Sequence, residues 1–510
     1  MSDSSKQTLK YEDLFDHIGH AGKGQIIWYI YLGYYGIIGG YNTISIVFSQ
    51  YEGEYKCADV GWKTNTSECE FNGDSCQNFT YDNERFKTTL VSDFDLVCKN
   101  EYQLLLAGFA YYLPQLFTGP LAGWVSDNYG RKKAMIAGQL AVIGASIGMY
   151  FCKNIWLYIF LKVTLGGAST FGFNVAFTLA TEIIGPKYEF YTSLNFQGFW
   201  ALGYILLSPV SFWVRTWNGI EAFLSIISAP ALIALFFMDE SPRWLLSTGK
   251  FEEARQVIVK LVKMNNKEQK TIKSLDLENI HGLDEEKETL SFLALFKNGR
   301  DMTLISLMVI YVWFAISLGF YGLGLGAAQI PGTVFFTNAI NGFCDAISYM
   351  LFSLVIYYSK ITHKISLVLC LGLSGCSLLL YTLFGQLSGN SDDFSEALVV
   401  AALCTELIGK FFNCCAFALI YVYVSDIYPT NLKTTIVGFC CGIECIAALV
   451  SVAFNPVYEL VPWCPGLVYG SCSIFASLLM TRLPDSDGAG ALMGIDDAKR
   501  FYKEQRNKPF

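Results

Sequence analysis

Twelve apolar stretches, each near the length needed to cross a membrane, constrain this chain more than any other feature. They span roughly residues 25–49, 102–124, 134–152, 156–179, 192–214, 219–237, 303–325, 333–357, 365–386, 396–424, 434–458 and 462–481. A bilayer core takes about 20 apolar helical residues to span. Repetition on this scale predicts an all-α membrane protein of twelve transmembrane helices in two six-helix bundles. Of the 510 residues, 53% are hydrophobic and only 16% charged, against about 25% charged in a soluble domain. The formal charge of −8 comes with no basic stripe, so the expected surroundings are a lipid bilayer and not nucleic acid. Residues 1–24 are polar, of mixed charge and without a cleavable signal pattern, so the first membrane helix is expected to act as the targeting signal.

The hydrophilic segment 51–101 separates the first two stretches and holds Cys57, Cys69, Cys76 and Cys98. Four cysteines in one loop predict two disulfides in an oxidising compartment, with three pairings open. Metal-type spacing is absent, which argues against a zinc site. The same loop carries two glycosylation sequons, at Asn65 and Asn78. Cysteines and sequons together place it outside the cell. The other twelve cysteines lie in or beside apolar runs, where a thiol behaves as a small hydrophobe.

Short-loop charge sets the orientation. Arg131, Lys132, Lys133, Lys187, Lys360, Lys364 and Lys433 fall on one side if both termini are cytoplasmic, with Lys153 and Arg215 as exceptions. On the other side Gly324–Gly332 is uncharged and Ser388–Glu396 carries only acids. The expected organisation is a cytoplasmic N-terminus (1–24), an N-terminal six-helix bundle (25–238), a cytoplasmic linker (239–302), a C-terminal bundle (303–482) and a cytoplasmic tail (483–510). Within the linker, FEEARQVIVKLVKM has helical spacing and reads as a helix at the membrane surface. Matching acidic ends suggest duplication of the halves: Thr181-Glu182-Ile183 against Ser425-Asp426-Ile427, and Asp239-Glu240-Ser241-Pro242 against Pro484-Asp485-Ser486. Transporters built from repeats place substrate between the halves, near mid-membrane.

Gly123-Trp-Val-Ser-Asp127-Asn-Tyr-Gly130-Arg131-Lys132, between the second and third stretches, closely resembles the signature loop of the major facilitator superfamily. Asp127 can pair with basic groups or a helix N-terminus, and Arg131 can reach Glu182, forming a latch that rocking would break. Asp239-Glu240-Ser241-Pro242-Arg243-Trp244-Leu245 resembles the ESPRWL sequence of sugar porters and organic-ion transporters, which adds Glu240 and Arg243 to the gate. Phe86–Cys98 looks like the end of the extracellular loop of the organic cation/anion/zwitterion transporters, and Val424-Ser-Asp426-Ile-Tyr428-Pro429-Thr430 like their AELYPT ending. This implies the major facilitator fold, alternating access, a plasma-membrane location and a gating role for Asp426. There are departures: a short external loop, Glu189 where a base is usual, and Tyr358–Lys364, which lacks the acid and glycines of the first signature loop.

Glu444 stands near the middle of the eleventh stretch. An acid at a helix centre costs roughly 3 kcal/mol on insertion scales, so it faces a partner or a cavity and not lipid. The resemblance implies that an acid there marks a cation transporter. It also implies substrate contacts for Trp313, Phe320, Phe173 and Phe177, whose faces would bind cations at roughly 0.5–2 kcal/mol each, and for Gln197 and Asp345. Packing is the competing role for each aromatic, and a structural role for Asp345. Lys410, in a stretch resembling the GKFG of anion and carnitine transporters, is the competitor: a Glu444–Lys410 pair would neutralise both, or would suit a zwitterion. Tyr321-Gly322-Leu323 leans the same way. The leading expectation is a transporter of small organic cations driven by the membrane potential, with zwitterion or anion transport, or a non-transporting membrane sensor, as alternatives. No enzyme constellation, cofactor or phosphate-cradling loop is visible, and the four histidines show no metal spacing.

Overall fold

In a computed structural model the chain is overwhelmingly helical. The structure describes residues 11–58, 69–71, 74–76, 78–267, 294–297, 299–326, 333–359, 361–388, 395–454, 456–457, 461, 463–486 and 495–506. Asn65, Lys360, residues 268–293 of the linker and the side chains of Glu189 and Lys433 lie outside the described set.

The first half comprises α1 (Lys23–Ile44), α2 (Glu101–Tyr112 continued as Gln115–Tyr129), α3 (Arg131–Tyr150), α4 (Ile155–Ile183), α5 (Pro186–Val214) and α6 (Trp217–Phe237). The second comprises α7 (Arg300–Leu325), α8 (Val334–Tyr358), α9 (His363–Ser388), α10 (Ser395–Ile427), α11 (Thr430–Ala453) and α12 (Cys464–Arg482). Nine of these, all but α1, α2 and α5, are individually long and apolar enough to cross a membrane among the described residues. Pro114 divides α2, since proline has no N–H to give to the helix ladder. The basic residues Arg131, Lys132 and Lys133 form the first turn of α3 and not a free loop.

Helices α1 and α5 pack against each other. Their crossing is tight: a Cβ on Gly40 would stand 2.0 Å from the Trp200 carbonyl oxygen, so only glycine allows it. Across the halves α5 packs on α8, and α2 on α11. The end of α2 near Glu101 is sealed: Gly108 abuts Val452, and Phe48, Phe86 and Phe335 form a ring cluster with centroids 5.2–6.2 Å apart. Phe86 comes from the loop after α1, where Tyr55–Cys57 pairs antiparallel with Phe79–Tyr81. Two disulfides close this loop, Cys57–Cys76 and Cys69–Cys98, selecting one of the three pairings the sequence leaves open. Asn78 is exposed there.

The amphipathic linker helix Phe251–Met264 turns its apolar face, Ala254, Val257, Ile258, Leu261 and Val262, into protein. It rests on the short helices Pro242–Ser247 and Leu14–Ile18 and on α1. Asn265, just after it, donates to the Ile18 carbonyl (2.9 Å) and accepts from the Gly24 amide (2.9 Å).

Candidate functional site

A partly open cavity with about 800 Å³ of empty space out to its mouth lies where the halves meet. Residues from α2, α4 and α5 face residues from α7, α10 and α11 across it. On α2 the lining runs from Tyr111, at the end of its first half, to Gln115, Leu116, Gly119 and Pro120 in its second. On α11 the spacing of Gly438, Cys441, Gly442 and Cys445 brings them to one helix face. A Cβ at Gly438 or Gly442 would meet nothing within 4 Å, as expected of residues that face open space.

Glu444 lies on this lining. Its two carboxylate oxygens accept hydrogen bonds from the Tyr321 hydroxyl (2.7 Å) and the Tyr421 hydroxyl (2.6 Å). Charge-assisted bonds of this kind contribute on the order of 1.5–3 kcal/mol each. No Lys or Arg lines the cavity among the described residues. The acid is therefore oriented by neutral donors and leaves its charge directed at the space between the halves.

The sequence-derived substrate residues separate into two groups. Glu444, Gln197, Phe320 and Phe173 meet at the cavity. Phe320 stacks on Phe417 (centroids 4.3 Å, planes 14° apart), and Phe173 lies edge-on to Trp200 (5.4 Å). Trp313, Phe177, Asp345 and Lys410 are not among the lining residues. Trp313 is fully buried and packs edge-on against Tyr421 (4.5 Å), so it backs a tyrosine that holds Glu444. Phe177 packs on the buried Phe196 (5.4 Å).

Lys410 does not pair with Glu444. It forms an ion pair with Asp345 (3.5 Å), with both side chains 1% exposed. The Tyr204 ring lies 4.7 Å from its ammonium, and the Cys414 thiol donates to the other partner, Asp345 (3.1 Å). The reason is positional. Asp345 on α8 faces the α10 surface that carries Lys410 and Cys414, whereas Glu444 on α11 faces Tyr321 of α7 and Tyr421 further along α10.

Sequence reasoning passed over a second buried pair, Lys162 on α4 with Glu221 on α6 (2.7 Å; 0% and 1% exposed). Ser45 accepts from the same lysine (3.1 Å). The signal was available: both are ionisable residues inside apolar stretches, as Glu444 is. Tyr421, Trp200 and Asn174 were also missed as lining residues. A tyrosine, tryptophan or asparagine in a membrane helix carries no mark of the side it faces.

At the other end of the first half, Arg131 pairs with Glu182 (2.9 Å) and Asp127 (2.6 Å) and donates to the Ser126 carbonyl (2.8 Å). Gly130, with φ at +100°, turns the chain so that the first amides of α3 point at Glu240. The Glu240 carboxylate accepts from the backbone N–H of Arg131 (3.0 Å) and Lys132 (3.1 Å). An acid at a helix N-terminus satisfies orphan donors and the helix dipole. A Cβ at position 130 would stand 2.5 Å from that carboxylate. Ser241 donates to Glu182, and the Trp244 indole to the Asp127 carbonyl (2.7 Å). Tyr11 donates to the Glu182 carbonyl (3.1 Å), with Arg243 over its ring (5.8 Å). Burial, and then the Glu182 charge, push the Tyr11 phenol well above its ordinary pKa, so it remains a donor at any physiological pH. Every partner in this network belongs to the first half, the N-terminal segment or the linker. It rivets α2, α3 and α4 to the linker, and among the described residues none of these contacts crosses between the halves.

The matching end of the second half is simpler. His363, first residue of α9, lies 3.2 Å from Asp426 at the end of α10. A contact in the position of Arg131–Glu182 therefore persists, although the loop Tyr358–Lys364 lost its signature residues. Tyr502, from the C-terminal helix Ile495–Arg506, donates to the Ile427 carbonyl (2.8 Å), as Tyr11 does at Glu182.

Two bundles enclosing a cavity between them define a transporter of the major facilitator class, and the comparisons agree. The sugar (and other) transporter family model matches residues 33–483, and the chain belongs to that family. It is 26% identical to human organic cation/carnitine transporter 2 over 85% of this chain and 76% of that protein. To organic cation transporter 1 of Caenorhabditis elegans it is 28% identical over 84% of this chain and 72% of that protein. Among solved structures, the E. coli xylose transporter XylE in a partially occluded inward-open conformation superposes with a TM-score of 0.66 at 16% identity, covering 91% of this chain and 99% of that one. The protein is thus a multi-pass membrane transporter and not an enzyme.

Proposed function

We propose that the protein carries small organic cations across the plasma membrane by alternating access, with both termini cytoplasmic and the disulfide loop, glycosylated at Asn78 and Asn65, outside. One observation carries the charge preference: the cavity presents the carboxylate of Glu444 with neutral donors and no basic side chain among its described lining. A quaternary ammonium offers that carboxylate a counter-charge and offers Phe320, Phe173 and Trp200 a cation for their ring faces. Gln197 supplies a neutral polar contact. A free anion would be repelled. A zwitterion would need a base for its carboxylate, and Lys410 is committed to Asp345. The names of the relatives, which include organic cation and carnitine transporters, support this substrate range.

In this reading the halves rock about the α5–α8 and α2–α11 contacts, and each gate network moves as part of its own half. The membrane potential pulls a cation inward by about 2.3 kcal/mol per charge per 100 mV, so uptake falls on depolarisation.

The test is uptake of radiolabelled tetraethylammonium beside radiolabelled carnitine in cells expressing wild type, Glu444→Gln or Glu444→Arg at matched surface levels. Uptake of the ammonium by wild type, lost in both variants, is the expected result. Ammonium uptake that survives Glu444→Arg removes the cation reading. Carnitine uptake alone moves the protein to the zwitterion class.

A further inference from the structure

A second opening of the molecule has no part in the transport reading. It lies between the first turns of α7 and α9, the last turns of α12 and the C-terminal helix, with about 2620 Å³ of empty space out to its mouth. Its lining divides into two zones. One is polar and basic, with Arg300, Lys364 and Arg482 from three different helices. The other consists of Leu304, Leu369 and Leu478, all exposed on the outer face of the bundle.

The basic zone sits where helices begin and end. Arg300 opens α7, Lys364 is the second residue of α9 and Arg482 closes α12. The leucines lie one to two turns further along the same helices, towards the membrane interior. Asp301 and Asp485 share the rim. Asp485 acts on the charge of Lys364. Neither Arg300 nor Arg482 has an acidic partner among the described residues. Two guanidinium groups without an acidic partner among the described residues therefore stand at the ends of spanning helices, beside an apolar groove.

We infer that this groove binds an anionic glycerophospholipid, its headgroup phosphate between Arg300, Lys364 and Arg482 and its acyl chains along Leu304, Leu369 and Leu478. Guanidinium suits a phosphate because its fork donates two hydrogen bonds at once. Basic pockets between membrane helices on the cytoplasmic side meet the leaflet that carries anionic lipid. The leucines distinguish a lipid from a free phosphate ion, which needs the bases alone. That this end faces the cytoplasm rests on the orientation proposed above; the chemistry of the groove does not.

Tyr502 lines the groove and also donates to the Ile427 carbonyl, next to Asp426. A lipid seated here would press the C-terminal helix onto the end of α10. Occupancy thereby favours the conformation in which the His363–Asp426 contact is made.

The experiment uses the purified full-length protein in detergent, titrated with fluorescent phosphatidylserine or phosphatidylcholine, with inorganic phosphate as competitor. The expected result is saturable phosphatidylserine binding, roughly tenfold tighter than phosphatidylcholine, and loss of that preference in Arg300→Gln/Arg482→Gln. Phosphate at millimolar level should not displace the lipid. Equal affinity for both lipids, an unchanged preference in the double variant, or displacement by phosphate overturns the inference. If the double variant does not purify as a monodisperse species, Lys364→Gln alone replaces it and should reduce the preference about threefold; no reduction counts against the site. Orientation is scored separately, by antibody access to a C-terminal tag in intact and permeabilised cells. A lipid site on a protein with external termini would overturn the topology and leave the groove's chemistry standing.

Discussion

Glu444 and Asp345 are both carboxylates inside the second half, and their surroundings are opposite. Asp345 is 1% exposed and faces the ammonium of Lys410, a positive ring-bound neighbour that cancels its charge. Glu444 faces the cavity, gripped by two tyrosine hydroxyls that orient it without neutralising it. The difference teaches that an acid in a membrane helix has two stable solutions. It can be cancelled within the protein, where it serves the fold, or held by neutral donors at a cavity, where its charge is available to a substrate. Lys162–Glu221 is a second instance of the first solution, in the other half.

The comparison can be broken experimentally. The largest effect is expected from Asp345→Ala, which strands the buried Lys410 charge. Breaking a buried pair costs on the order of 3–5 kcal/mol, so the melting temperature and the folded yield should collapse, while Asp345→Leu/Lys410→Met restores most of both. A single variant of wild-type stability would show that the pair is not the structural element described. Next comes Glu444→Gln. Uptake of tetraethylammonium should fall at least about tenfold, equivalent to some 1.4 kcal/mol, with a much smaller loss of thermal stability than Asp345→Ala causes. A matching fall in melting temperature would make Glu444 structural, like Asp345. Tyr421→Phe removes one of the two donors to Glu444. It should raise the KM for the cation about fivefold, roughly the value of one hydrogen bond, and leave the expression level alone. The smallest effect belongs to His363→Gln. His363–Asp426 is partly exposed, and such pairs contribute about 0–1 kcal/mol, so stability should shift by less than a degree or two. Arg131→Gln, by contrast, removes several contacts from one network and should be felt far more in a side-by-side melt.

Much of the fold was legible because membrane insertion imposes a coarse code. Apolar runs of sufficient length must become helices, and their number and spacing set the architecture. Glu182 could be named as a partner of Arg131 because it is the carboxylate at the end of the fourth stretch, within reach of the signature loop, and Glu444 could be singled out because an acid at a helix centre has so few tolerable environments. Where charge sits outside a recognised motif the reading thins: Lys162 and Glu221 carry the same signal as Glu444 but belong to no motif, and His363 shows only that no metal spacing surrounds it. The linker helix Phe251–Met264 was recognised as amphipathic from its periodicity, but periodicity does not say what covers the apolar face. The cover is the short helix Pro242–Ser247, the N-terminal segment and α1.

The sequence by itself determined the twelve spans, the division six and six, the cysteine-bearing loop and the identity of the one acid at the centre of α11. Tertiary structure decided the pairings: Cys57 with Cys76, Lys410 with Asp345 and not with Glu444, and four of the eight named substrate residues onto the cavity wall. The physical reason is rotation. Hydrophobicity fixes that a helix lies in the membrane, because every side of it is apolar, but an all-round apolar helix has no preferred face in its own sequence. Only packing against its neighbours sets which side meets the cavity, and so which charge meets the substrate.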